Sequence, residues 1–142
     1  MRLFLDANIL FSAAHSDNSH AYLLVRLAEA GYCVLLSSRH AIGEAARNLE
    51  LKSLDFQDRF ARSLGCTETV PEAPAELVQW AAARGLPAKD APILAAAAHA
   101  RADLLVTGDT RDFGPLFGKT LRGVRVVTLA DAVQIVLDAA TP

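Results

Sequence analysis

Five short apolar runs constrain this chain most. They are RLFL (Arg2 to Leu5), YCVLLS (Tyr32 to Ser37), the more polar CTETV (Cys66 to Val70), ADLLVTG (Ala102 to Gly108) and VRVVT (Val124 to Thr128). Runs of this length suit strands covered on both faces. Between them lie longer segments whose apolar residues recur at helical spacing. Ser19 caps HAYLLVRLAEA, which stops at Gly31. Ser38 caps a helix through Leu49, and Ser53 to Leu64 forms another, ended by Gly65. Ala75 to Arg84 and Asp90 to Ala100 are two more, with Pro92 tolerated in the first turn, and Thr128 caps a last helix from Leu129 to Ala139. Asn8 to Ala14 is a short helix or turn, and Phe113 to Gly118 a loop or short helical turn. Strands alternating with helices predict an α/β domain with a mainly parallel sheet. With 142 residues and no linker or repeat, one domain over residues 1–142 is expected.

In such sheets ligands bind beyond the carboxyl ends of the strands. Two acids fall there: Asp6, which ends RLFLD, and Asp109, which follows LLVTG and precedes Asp112 in TGDTRDF. Gly108 gives the backbone freedom for a tight turn between strand and acid. Carboxylates gathered at strand ends repel one another and lose hydration, a cost that a divalent cation offsets. An oxygen-only ligand set selects magnesium or manganese.

Taken singly, the acids carry more than one reading. Asp6 is a helix N-cap or a metal ligand. Glu44 lies in SRHAIGEAARNL, where Ala41, Ile42, Ala45, Ala46 and Leu49 make much of the helix apolar, so it is a solvated glutamate or the edge of a buried face. Asp90 opens DAPILAAAAHA as an N-cap, a cation ligand, or both through its two oxygens. Lys89 beside it is a surface charge, a carboxylate partner or a contact for phosphate. Asn8 supports the turn after Asp6 or hydrogen-bonds its carboxylate.

Composition narrows the function. A hydrophobic fraction of 52% supports a real core and argues against disorder. Aromatic residues at 6% argue against a surface built on base stacking. The net charge of -2 provides no overall basic footprint, although bound divalent metal would reverse the sign at an acidic cluster. Cys33 and Cys66 lack zinc-ligand spacing and are expected as buried free thiols. His15, His20, His40 and His99 form no helix-face metal pair. No serine elbow, Walker loop or dinucleotide fingerprint occurs. The N-terminus lacks a signal pattern, and no apolar stretch reaches the roughly 20 residues that span a bilayer. The chain is expected to be cytoplasmic, without membrane contact.

The blocks LFLDANIL, the mid-chain helical Glu44, KDAPILAAAAHARADLLVTGD and the following RDF, in this order, resemble the PIN-domain family of metal-dependent ribonucleases. The resemblance covers almost the whole chain. It implies a three-layer α/β/α fold with a central mainly parallel sheet. It implies an acidic pocket of Asp6, Glu44, Asp90 and Asp109, with Asp6, Asp90, Asp109 and the additional Asp112 on Mg²⁺ or Mn²⁺, and with Asn8 and Thr107 in supporting polar roles. Among small single-domain members the usual role is that of a VapC-like toxin of a toxin–antitoxin pair. An RNA substrate, a cognate antitoxin and a homodimer are then expected. Pro92 departs from the pattern, and the region between Glu44 and Asp90 carries no motif.

Three other readings compete. One is an RNA-processing PIN nuclease without an antitoxin. Another is a phosphatase of the haloacid dehalogenase type, which needs a second Asp two residues after the first as general acid, where this chain has Asn8. The last is a non-enzymatic interaction module whose acids are caps and surface charges.

Overall fold

In the computed structural model, which describes residues 1–141, the apolar runs form one sheet. The strands are β1 (Arg2–Leu5), β2 (Val34–Ser38), β3 (Thr67–Val70), β4 (Leu104–Val106), β5 (Thr120–Leu121) and β6 (Val124–Val127). Their order is β3-β2-β1-β4-β6-β5. Every pairing is parallel except β5 with β6. The helices are α1 (Ala7–His15), α2 (His20–Glu29), α3 (Arg39–Ala45), α4 (Leu54–Gly65), α5 (Ala75–Ala82), α6 (Ala91–His99) and α7 (Leu129–Ala140).

Successive strand residues point to opposite faces, and here both faces are covered. Leu3, Leu5, Leu35, Leu104, Val106 and Val127 pack with residues of α1, α2, α4 and α7. Phe4, Leu36, Leu105, Val124 and Val126 pack with the alanine-rich α6 and with α5. The result is the expected three-layer α/β/α architecture. Small side chains let α6 lie close to the sheet, and Ala95, Ala96 and Ala97 are fully buried. Among the described residues, no helix is long and apolar enough to cross a membrane.

The caps at Ser19, Ser38 and Thr128 form as expected, each side chain accepting a backbone N–H of the first turn, and Ser53, expected inside its helix, caps α4 in the same way. Several boundaries differ from expectation. α3 stops at Ala45 rather than Leu49, because Asn48 turns left-handed at φ 60° and Leu49–Leu51 form a separate 3-10 turn. Gly65 is the last residue of α4, and α5 ends at Ala82. β5 was not expected; it is a two-residue strand returned onto β6 by Arg122 (φ 49°) and Gly123 (φ 81°). Both thiols are free, but neither lies in a strand, and Cys66 is only half-buried.

The chain leaves β1 through α1 and α2 to reach β2 on one side, and leaves β3 through α5 and α6 to reach β4 on the other. The crevice between the carboxyl ends of β1 and β4 is therefore the topological switch point. The Asp6 N–H donates to the Val106 carbonyl at 3.1 Å, which puts Asp6 beside Thr107.

Candidate active site

Asp6 is 4% exposed and serves as the N-cap of α1. Its Oδ1 accepts the Ala7 N–H at 2.7 Å, and its Oδ2 accepts the Thr107 hydroxyl at 2.8 Å. The Asn8 amide donates to the same Oδ2 at 3.4 Å, while Asn8 Oδ1 accepts the Gly108 N–H at 2.9 Å. Asn8 thus links the turn after β1 to the turn after β4. A Cβ at position 108 would sit 3.5 Å from Asn8 Oδ1, an ordinary contact, so space alone does not demand glycine there. Burial pushes the Asp6 carboxyl upward; the Thr107 and Ala7 hydrogen bonds oppose that, and the charges of Glu44 and Asp109 reinforce it.

The tight cluster lies on the β4 side. Asp90, Asp109 and Asp112 each offer a carboxylate oxygen within 4.8 Å of the others. Asp109 is held by its N–H, which donates to Thr107 Oγ at 3.1 Å, and its Oδ1 accepts the Asp112 N–H at 3.0 Å. The turn from Asp109 to Asp112, closed by this side-chain bond across three residues, is what brings the second TGDTRDF acid back to the first.

Asp90 sits at the N-cap position of α6, yet its side chain caps nothing. Its backbone is helical, with φ -103° and ψ -24°, rather than extended like the working caps of this chain. Its side chain is therefore not directed at the first-turn N–H groups, and Oδ2 is buried without a hydrogen-bond partner. Of the two roles open to Asp90 from sequence, the cap does not form. Burial, then the hydrogen bond shared with Asp112, push the Asp90 carboxyl up to about 6. The same shared hydrogen bond and the Lys89 ammonium hold Asp112 below the usual carboxylate range. Lys89 Nζ lies 3.3 Å from Asp112 Oδ2 and 3.7 Å from Asp90 Oδ2.

Glu44 stands apart from the tight cluster, on α3, with its side chain 37% exposed. It is near enough to Asp6 to raise that carboxyl by charge. A cleft of about 480 Å³ opens along it, lined also by Asn8, Phe11, Ser12, Arg47 and Lys89. Another cavity, of about 440 Å³ between Arg39 and Glu72, is lined by none of these acids.

His40 was not singled out from sequence, yet it borders the site. Its Nε2 lies 3.0 Å from the Lys89 carbonyl and 3.5 Å from Glu44 Oε1. Both are acceptors, which places a proton on Nε2. The i, i+4 spacing from His40 to Glu44 was the available signal.

Three carboxylates with an orphaned buried oxygen are chemically suited to a hard divalent cation. Oxygen ligands match Mg²⁺ or Mn²⁺, and a directly bound cation would satisfy the Asp90 Oδ2 that no hydrogen bond reaches.

The fold has known counterparts. VapBC2 from Rickettsia felis, solved bound to a DNA fragment from its promoter, superposes with a TM-score of 0.64 at 18% identity, over 90% of this chain and 98% of that one. The protein PAE2754 from Pyrobaculum aerophilum gives 0.65 at 19%, over 97% and 99%. VapC20 from Mycobacterium tuberculosis, described as a sarcin-ricin loop cleaving toxin, gives 0.54 at 14%, over 80% and 94%. At these identities the likeness is one of fold. Comparison with curated proteins finds no match in sequence. The sequence profile described as PIN domain, however, matches residues 2–111, from β1 through the Asp109 turn. That span holds Asp6, Glu44, Asp90 and Asp109 but not Asp112, and the match sets aside the phosphatase alternative: the chain belongs to the PIN domain family.

Proposed function

We propose that this protein is a divalent-metal-dependent ribonuclease, one nuclease domain over residues 1–142, that hydrolyses phosphodiester bonds in RNA. The observation that carries the reading is Asp90 Oδ2, buried and without a hydrogen-bond partner beside the carboxylates of Asp109 and Asp112. Asp90, Asp109 and Asp112 would hold Mg²⁺ or Mn²⁺, with Asp6 as a further ligand on the β1 side. Such an ion lowers the pKa of water and neutralises phosphate charge.

The chain's own groups supply the rest. Thr107 and Asn8 fix the Asp6 carboxylate. Glu44, exposed in the cleft and paired with His40, is placed to accept a proton from water. Arg47 and Lys89 in the cleft lining offer positive charge to an RNA backbone.

The same reading extends to biology as a VapC-like toxin held by an antitoxin, acting in the cytoplasm as a homodimer. It is supported by family membership and by the fold shared with VapBC2 and with FitAB, the latter solved bound to an IR36 DNA fragment. The decisive experiment is cleavage of single-stranded RNA by the purified protein with Mn²⁺ or Mg²⁺. Chelator-sensitive cleavage, lost in Asp90→Asn, is expected. Full activity of Asp90→Asn would refute the metal assignment. Expression of the chain alone should arrest growth if it is a toxin; normal growth together with RNA cleavage in vitro would favour the processing role.

A further inference from the structure

Lys89 immediately precedes Asp90, and its ammonium lies on the acids: 3.3 Å from Asp112 Oδ2 and 3.7 Å from Asp90 Oδ2. The longer of these distances is beyond hydrogen bonding, so Asp90 Oδ2 keeps only a coulombic partner. The side chains differ in exposure. Lys89 is 64% exposed, whereas Asp90 is 10% and Asp112 20% exposed. The ammonium can leave without disturbing the core, while the carboxylates stay fixed. Lys89 also lines the cleft beside Asn8, Ser12 and Arg47. One flexible four-carbon stem thus has two places for its charge, over the acids and over the cleft.

We propose that Lys89 is a tethered counter-cation: it occupies the carboxylate cluster of the metal-free protein, yields to a divalent ion, and then turns into the cleft to hold a substrate phosphate. The inference rests on the metal-nuclease reading above. Asp90 and Asp112 would offer a divalent ion the same oxygens that Lys89 faces, and the charge of that ion would repel the ammonium. Lysine suits this exchange better than arginine, whose planar fork binds carboxylates bidentately and would resist displacement. In the metal-free protein the ammonium offsets the mutual repulsion of the acids. In the loaded protein it adds a phosphate contact next to Arg47.

The test is calorimetric titration of the metal-free full-length chain with Mn²⁺, in wild type, Lys89→Gln and Lys89→Arg. Lys89→Gln should bind Mn²⁺ about tenfold more tightly than wild type, equivalent to about 1.4 kcal/mol. Its metal-free form should melt at a lower temperature, and Lys89→Arg should bind Mn²⁺ no more tightly than wild type. At saturating Mn²⁺, Lys89→Gln should raise KM for single-stranded RNA several-fold and change kcat little. Equal or weaker Mn²⁺ binding by Lys89→Gln overturns the counter-cation role. Tighter binding with an unchanged KM overturns the phosphate contact. A wild type that binds no Mn²⁺ overturns the metal reading and this inference together, which separates the two failures.

Discussion

The Thr107 hydroxyl donates to Asp6 Oδ2 at 2.8 Å while its oxygen accepts the Asp109 N–H at 3.1 Å. One fully buried hydroxyl therefore ties the end of β1 to the loop after β4, the two places where the strand-end acids stand. It also opposes the upward push that burial exerts on the Asp6 carboxyl. Thr107→Val keeps the shape and removes the hydroxyl. It leaves Asp6 Oδ2 with only the long Asn8 contact and orphans the Asp109 N–H. Leaving buried polar groups unpaired costs about 1–3 kcal/mol. A denaturant midpoint lowered by that amount, with Thr107→Ser close to wild type, is the expected result; equal stability of Thr107→Val would show that the hydroxyl does not hold the site.

Asp90 leads to a pH dependence. Its carboxyl is pushed up to about 6 from an ordinary value of 3.8. A folded-state pKa above the unfolded one means stability that is full below about pH 4 and is lost as pH rises through about 6. Burial raises the Asp6 carboxyl in the same direction. Metal-free Asp90→Asn, which removes the charge and keeps the shape, should therefore melt above wild type at pH 7.5, with the gap closing towards pH 4. Mn²⁺ should raise the melting temperature of wild type and leave that of Asp90→Asn unmoved. Thermal melts across pH 4–8, with and without Mn²⁺, measure both effects.

Which parts of this site could be read from sequence follows from what each position depends on. Asp6 and Asp109 follow runs whose residues are buried on both faces, so their strand-end placement is a matter of pattern. The three-layer fold follows for the same reason. Asp90 needed its backbone conformation: an aspartate before a helix usually caps it, and only the helical φ and ψ at this residue explain why it does not. The bridge from Lys89 to Asp112 depends on side-chain torsions and on the turn that folds Asp112 back, neither of which has a periodic signature. β5 escaped because two residues carry no alternation, and its hairpin uses Arg122-Gly123 rather than an Asn-Gly or Asp-Gly pair.

Asn8 holds two turns at once, through the Gly108 N–H and the Asp6 carboxylate. Asn8→Asp keeps an acceptor for Gly108 but removes the donor and sets a second charge beside Asp6. Like charges at that range disfavour ionisation. The substitution should lower stability at pH 7 by about 1.5 kcal/mol, the low end for a lost hydrogen bond to a charged group because this one is long, and less at pH 4. It should not create phosphatase activity, because Asp6 is buried and doubly hydrogen-bonded, unlike an exposed nucleophile. Denaturant unfolding at the two pH values, with a phosphatase assay beside it, tests both claims.

Glu44 separates chemistry from scaffold most cleanly. It is exposed, its pairing with His40 is at the surface, and its charge pushes the Asp6 carboxyl up. Exposed pairs of this kind contribute about 0–1 kcal/mol. Glu44→Gln should therefore leave the melting temperature close to wild type, while relieving part of the repulsion on Asp6. If Glu44 orients or deprotonates water, RNA cleavage should fall by about 100-fold or more, as for a lost general base. Mn²⁺ affinity should fall far less than in Asp90→Asn, because Glu44 lies outside the three-carboxylate group. Calorimetric Mn²⁺ titration and single-turnover cleavage on the same preparation distinguish the outcomes. Parallel losses of metal and rate would make Glu44 a ligand, and an unchanged rate would make it a surface glutamate.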